Sequence, residues 1–148
     1  MNKQICLLAV GAIFFLLTVI LFPRSIHQDE ITLSDYFHTD FSGVTRIKIR
    51  YGDGNQITVD NPATIRNILH SLKMIRLQKI STQNSPAATG FLYYMDIISN
   101  DQTWRYSQYL ILSNGTYQSM EPESTQLDKQ ILQIGREQIP TLLPGLEK

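Results

Sequence analysis

The sequence predicts an α+β domain, with a mostly antiparallel sheet of five to six strands, two helices on one face, and one N-terminal transmembrane helix ahead of it. Three observations carry this expectation. Residues 5–22, ICLLAVGAIFFLLTVILF, run eighteen positions without a charge. Beyond them, apolar and polar residues alternate in short runs separated by Gly, Asn and Asp, the pattern of hairpins. Two later stretches instead space apolar residues three and four apart, as a helix with one buried stripe does.

A helix of eighteen residues is about 27 Å long, close to the roughly 30 Å of bilayer hydrocarbon. A secretory signal has a shorter apolar core and a small-residue cleavage site. Here Phe22-Pro23-Arg24-Ser25-Ile26-His27 holds no pair of small residues two apart, and Cys6 lies at the wrong end of the segment for lipid attachment. The reading is an uncleaved signal anchor (1–24), a tether (25–33) and an extracytoplasmic domain (34–148). The chain is then a single-pass protein of the cell membrane with its C-terminal domain outside the cytoplasm. Secretion after signal cleavage is the alternative. The only cysteine is in the anchor, so the exported part has no disulfide, which favours a bacterial envelope over a eukaryotic secreted domain.

Past the tether, Leu33 to Phe37 reads as a helical turn capped by Ser34, with Tyr36 and Phe37 closing the domain edge. Val44 to Tyr51 alternates Ile47, Ile49 and Tyr51 against Lys48 and Arg50, a half-buried strand. Gly52-Asp53-Gly54-Asn55 turns into a second strand, Gln56 to Val59. Asn61 caps a helix with Pro62 at its first position, and Ile65, Ile68, Leu69 and Leu72 form its stripe. A third strand spans Lys73 to Ile80, and STQNSPAATG (81–90) is a loop. Two β-prone runs follow, 91–99 and 103–112, joined by Asn100-Asp101-Gln102. Asn114-Gly115 turns into Thr116 to Met120; the glycosylation triplet there is first a hairpin turn. Ser124 caps a last helix to Gln138 carrying Leu127, Ile131, Leu132 and Ile134, and Pro140 and Pro144 end it.

Charge is balanced overall, with thirteen basic and thirteen acidic residues. The balance is uneven along the chain: residues 41–80 hold seven basic residues against Asp53 and Asp60. Such a basic middle attracts anionic lipid heads or wall polymers, or is a solvated outer face. Nucleic acid is excluded as a partner by the compartment and by the lack of any binding motif.

The two aromatic runs carry the candidate site. In 91–99, Phe91, Tyr93, Met95 and Ile97 share one face, and Leu92, Tyr94 and Ile98 the other. In 103–112, Trp104, Tyr106, Leu110 and Leu112 oppose Arg105, Tyr109 and Ile111. Helices cover one face only, so Tyr94, Arg105 and Tyr109 form a candidate binding platform for a sugar, a peptide or a partner protein. Sheet packing alone is the competing explanation of the same pattern.

Chemistry has little to stand on. His27 with Asp29 and Glu30, and His38 with Asp40, match no metal-ligand spacing, so no metal or cofactor is expected. No nucleophile elbow and no ordered Ser, His and Asp set occurs. Asp53 belongs to its hairpin, and Glu121 and Glu123 flank Pro122 as solvated loop carboxylates.

The strings DYFHTDFSGVTRIKIRYGDGNQITVDNPATIRNIL and GFLYYMDIISNDQTWRYSQYLILSNGTYQ share an outline of V-x-x-I-x-I, a Gly turn, a strand, a helix, G-[FY]-x-Y and a closing N-G-x-Y hairpin. Over roughly residues 36 to 118 this resembles the YhfM-like small envelope proteins of Bacillus-type bacteria. The resemblance implies location and fold, and carries over no activity and no functional residue. Many such proteins begin with a lipobox cysteine, which this chain lacks.

The expected function is a membrane-anchored, non-catalytic binding or interaction module at the bacterial cell envelope. Its partners are the membrane through residues 5–22 and an envelope protein or wall polymer. The rival is an envelope-acting hydrolase or transferase using carboxylates that the sequence does not group.

Overall fold

A computed structural model describes residues 30–80, 91–112 and 115–145. The anchor at 5–22, His27 and the loop 81–90 lie outside them. Among the described residues no helix is long and apolar enough to cross a membrane.

In chain order the elements are β1 (Glu30–Thr32), α1 (Leu33–Phe37), β2 (Val44–Tyr51), β3 (Gln56–Val59), α2 (Pro62–Met74), β4 (Arg76–Ile80), β5 (Tyr93–Ser99), β6 (Thr103–Tyr106), β7 (Tyr109–Leu112), β8 (Gly115–Ser119) and α3 (Glu123–Gln138). The class is α+β, and among the described residues every strand pair is antiparallel. The single sheet of five to six strands is corrected. The described residues form two four-stranded sheets, ordered β1-β4-β8-β7 and β3-β2-β5-β6.

The division arises at Ser107-Gln108, inside the run 103–112 read above as one strand. The Ser107 hydroxyl donates to the Tyr109 carbonyl and the Gln108 carbonyl accepts from the Ser119 amide at 3.0 Å. These side-chain and turn bonds offer the backbone an alternative to a continuous ladder, so β6 stays with β5 while β7 joins β8. The Tyr106 hydroxyl, 3.0 Å from Ser119 Oγ, ties the two sheets together just before the break.

Local signals explain most boundaries. Asn61 Oδ1 accepts from the Ala63 and Thr64 amides at 3.0 and 3.1 Å, capping α2 as expected. That helix runs on to Met74, into the stretch expected to be strand, so β4 starts at Arg76 rather than Lys73. Thr32, not Ser34, caps α1 through the Asp35 amide. Pro122 stands at the cap position of α3 and offers no side-chain bond, while Ser124 is buried inside the helix. Glu30–Thr32, assigned above to the tether, instead pair with β4. Isolated three-residue strands carry no sequence period, and here the short β1 takes the edge position beside β4.

The core lies between the inner face of the second sheet and the helices. Ile47, Ile49 and Tyr51 of β2, Ile57 and Val59 of β3, and Tyr93, Met95 and Ile97 of β5 point inward. Ile65, Ile68 and Leu72 of α2 and Leu127 and Ile131 of α3 are buried with them. Two hydroxyls bind α3 to this sheet: Tyr51 donates to the Ile131 carbonyl at 3.0 Å and Tyr93 to Asp128 Oδ1 at 2.7 Å. An aromatic chain closes the margin where the sheets diverge. Tyr117 of β8 meets Tyr36, Tyr36 meets Phe37, Phe37 meets Phe41, and Phe41 meets Trp104 of β6, all edge to face at centroid distances from 4.9 to 6.1 Å. Edge-to-face pairs at such distances add roughly 0.5–1.5 kcal/mol each beyond the area they bury.

The C-terminal segment is held by the β2-β3 hairpin. Asp53 Oδ2 accepts from the Leu143 amide at 3.1 Å while Oδ1 accepts from the Asn55 amide at 3.0 Å. The Asn55 amide, above all, keeps this carboxyl below its ordinary range. Its contribution is therefore complete at neutral pH and fades only as pH falls through the lowered value. Asp53→Ala is expected to speed hydrogen exchange at the Leu143 amide while leaving the exchange of β5 amides unchanged. Equal rates at Leu143 in the two proteins would refute the clamp.

Candidate functional site

Strand alternation sends Ile47, Ile49 and Tyr51 of β2 inward and leaves Arg46, Lys48 and Arg50 exposed on the opposite face. The register then builds a grid. Arg50 lies opposite Tyr94, Lys48 opposite Asp96, and Arg46 opposite Ile98. Asp96 and Ile98 in turn face Arg105 and Thr103 of β6. On the far side Gln56 and Thr58 of β3 stand beside Arg50 and Lys48. This outer face carries four cations, Arg46, Lys48, Arg50 and Arg105, against the one carboxylate of Asp96 among its described residues.

Tyr94 is its centre. The Arg105 guanidinium carbon lies 4.6 Å from the ring centroid and that of Arg50 5.6 Å. Phe91 approaches the same ring at 5.1 Å and is 49% exposed. Cations over an aromatic face attract it through the ring quadrupole, by roughly 0.5–1 kcal/mol when exposed. Arg105 is fixed further by two bonds to Asp96, Nε to Oδ1 at 2.7 Å and Nη2 to Oδ2 at 3.0 Å. Both side chains stay in reach of solvent, so the ion pair orients more than it stabilises. It leaves Lys48, Arg46 and Arg50 as the cations whose charge is not answered on this face.

Of the three residues expected to form the platform, Tyr94 and Arg105 meet. Tyr109 does not join them. It stands on β7 of the other sheet, opposite Gln118, because the chain changes sheets at Ser107-Gln108. Arg46, Lys48 and Arg50, read above as part of the basic stretch 41–80 and not of the platform, adjoin the platform instead. Their outward alternation was readable, but their adjacency to Tyr94 depends on β2 pairing with β5 across the intervening helix and β4.

Other candidate chemistry is placed as follows. His38 ends α1 in a left-handed conformation and Asp40 accepts from the Ser42 amide at 2.8 Å. Among the described residues no three His, Cys, Asp or Glu side chains converge on a point where a metal would bind. Glu123, expected to be solvated, is half-buried in the first turn of α3 and bonds Arg76 at 3.3 Å, while Arg76 also reaches Glu30 at 3.7 Å. A cleft of about 310 Å³ lies between α2, α3 and the end of β3, lined mainly by amides such as Asn61, Asn67, Gln130 and Gln133 with Asp60 and Glu137. A smaller one of about 200 Å³ lies by His70, Met74 and Glu123. Neither is lined by Phe, Tyr or Trp.

Among the described residues Asp128 is the carboxyl whose acidity is weakened. Burial raises its pKa first, the Glu121 charge adds to this, and the bond from Tyr93 partly opposes both. A raised carboxyl binds its proton more tightly when folded, so its contribution favours folding at low pH and is lost as pH rises through the raised value. Asp128→Asn keeps an acceptor for Tyr93 and removes that charge. The variant is expected to gain stability relative to the parent as pH rises above the ordinary carboxylate range, and to match it or fall below at lower pH. Urea denaturation across pH measures this; a parallel pH dependence in the two proteins would contradict it.

Compared with protein families, curated proteins and solved structures, the chain finds no match in any of the three.

Proposed function

We propose that the chain is a membrane-anchored, extracytoplasmic binding module of the bacterial cell envelope, held by residues 5–22 and working by contact without chemistry of its own. The observation that carries the reading is the outer face of the β3-β2-β5-β6 sheet. It lies away from the helix layer and sets Tyr94 between Arg50 and Arg105. Half-buried aromatics ringed by arginine are typical of surfaces that dock a partner. The apolar segment supplies the anchor, being eighteen uncharged residues long. Protease added to intact protoplasts is expected to digest the domain while the chain sediments with membranes. Protection from protease would overturn the orientation, and a mature form starting near Ser25 in the medium would overturn the anchor.

A second reading, an envelope-acting hydrolase or transferase, draws on Asp128 with its raised pKa beside Tyr93 and Glu121. Perturbed carboxyls collect at active sites but also in structural networks. Here one carboxylate oxygen is taken by the Tyr93 hydroxyl, and neither cleft described above is lined by Asp128. Asp128→Asn separates the two readings: a catalytic carboxylate loses its function in the cell, whereas a binding module keeps it.

A further inference from the structure

We propose that the outer face of the β3-β2-β5-β6 sheet docks on the anionic phospholipid surface of the bilayer that anchors the chain. The inference rests on the anchored reading above and names the partner of the same face.

Charge comes first. Arg46, Lys48 and Arg50 project in one row from β2 and are exposed. Among the described residues of this face Asp96 is the only carboxylate, and Arg105 already occupies it. The row is thus an uncompensated strip of positive charge, with partners spaced across strands about 4.8 Å apart. Shape comes second. The strip lies on a sheet, and neither cleft described above opens onto it around Tyr94. A sheet face meets many phosphates arrayed in a plane better than it encloses a single one.

The aromatic edge selects lipid over other polyanions. Phe91 is 49% exposed beside Tyr94, next to the cations. A soluble phosphate polymer gives an exposed phenyl ring nothing to bury against. At a bilayer the ring enters the boundary layer while tyrosine and arginine sit at headgroup level, where such side chains are enriched. Reach comes last. Seven residues separate Phe22 from Glu30, the first residue of β1. The eight steps from Phe22 to Glu30 span at most about 29 Å whatever path they take, so the domain stays beside the lipid surface and the local lipid concentration is high.

The test uses the full chain with Cys6→Ser and a Thr58→Cys label carrying an environment-sensitive fluorophore, since Thr58 is exposed on β3 beside Lys48. The chain is placed in lipid discs of phosphatidylcholine alone and of phosphatidylcholine mixed with phosphatidylglycerol. A blue shift is expected in the mixed discs only, reversed by raised salt. Each cation near an anionic surface contributes on the order of fivefold to the docked population. Arg46→Glu, Lys48→Glu and Arg50→Glu together should therefore lower it by on the order of a hundredfold or more. Phe91→Ser should weaken docking without removing its salt dependence.

An equal shift in both discs, no shift in the mixed discs, or a full shift in the triple variant overturns the proposal. So does a poly(glycerol phosphate) that produces the shift in neutral discs and competes in mixed ones, because the face then belongs to the polymer. If the triple variant does not fold, the milder Lys48→Gln and Arg50→Gln pair replaces it, and a full shift in that pair overturns the proposal equally. Extraction of the labelled chain by alkaline carbonate would defeat the anchor. Retention without a shift in mixed discs would defeat the lipid docking alone.

Discussion

Truncating Tyr51 to alanine is expected to lower the unfolding free energy by about 3–5 kcal/mol, the range for losing a large buried aromatic side chain. Tyr51 ends β2 with no exposed surface, and its hydroxyl donates to the Ile131 carbonyl of α3 at 3.0 Å. The helix reaches this close because Gly135 lacks a side chain. A Cβ there would stand 2.4 Å from both Tyr51 Oη and Leu142 Cδ2. Burial lifts the phenol pKa far above its ordinary value, so the hydroxyl remains a neutral donor throughout the physiological range. Tyr51→Phe keeps the ring and should cost only about 1 kcal/mol, a single net hydrogen bond. Urea denaturation with unchanged slopes separates the two terms. Equal losses for the two variants would mean that the ring's packing contributes nothing.

Gly52→Ala, at the next position, is expected to destabilise by about 1–3 kcal/mol through overpacking. The added methyl would lie 2.4 Å from the Phe91 carbonyl oxygen. That atom is main chain, so no rotamer change relieves the clash. The hairpin must shift away from the entry to β5, at the cost of the Gly52 amide bond to the Leu92 carbonyl at 3.0 Å. Gly54→Ala is the control. It has nothing within 4 Å but sits at φ +88°, so only the left-handed backbone penalty of about 1 kcal/mol applies. Thermal unfolding of both variants tests the order, and a Gly52→Ala loss no larger than that of Gly54→Ala would dismiss the close approach.

Where local chemistry decides, the sequence was legible. The alternation of Ile47, Ile49 and Tyr51, the Asn61-Pro62 helix start, and the stripes of both long helices all have the expected faces. Of the set expected to share a face, Tyr93, Met95 and Ile97 are buried, while Phe91 precedes β5 and lies 49% exposed against Tyr94. The two-sheet division was not legible, because Ser107-Gln108 interrupts a run whose β propensity continues on both sides. No period marks a point where consecutive strands part company. The same long-range pairing hid half of the candidate site. Lys48 and Arg50 were placed on the face opposite the core, and Tyr94 was placed on an uncovered face. That these are one face follows only from β2 lying against β5. Tyr109 was misplaced for the complementary reason, since spacing along the chain stood in for position in a sheet.

The change of sheets at Ser107-Gln108 also governs cooperativity. One sheet gathers residues 30–32, 76–80, 109–112 and 115–119, and the other gathers 44–51, 56–59, 93–99 and 103–106, so their chain segments interleave and no contiguous fragment can complete the first without threading through the second. The two layers are therefore expected to melt together. Calorimetry should find a single transition whose measured and van't Hoff enthalpies agree, and two separate transitions would refute the coupling.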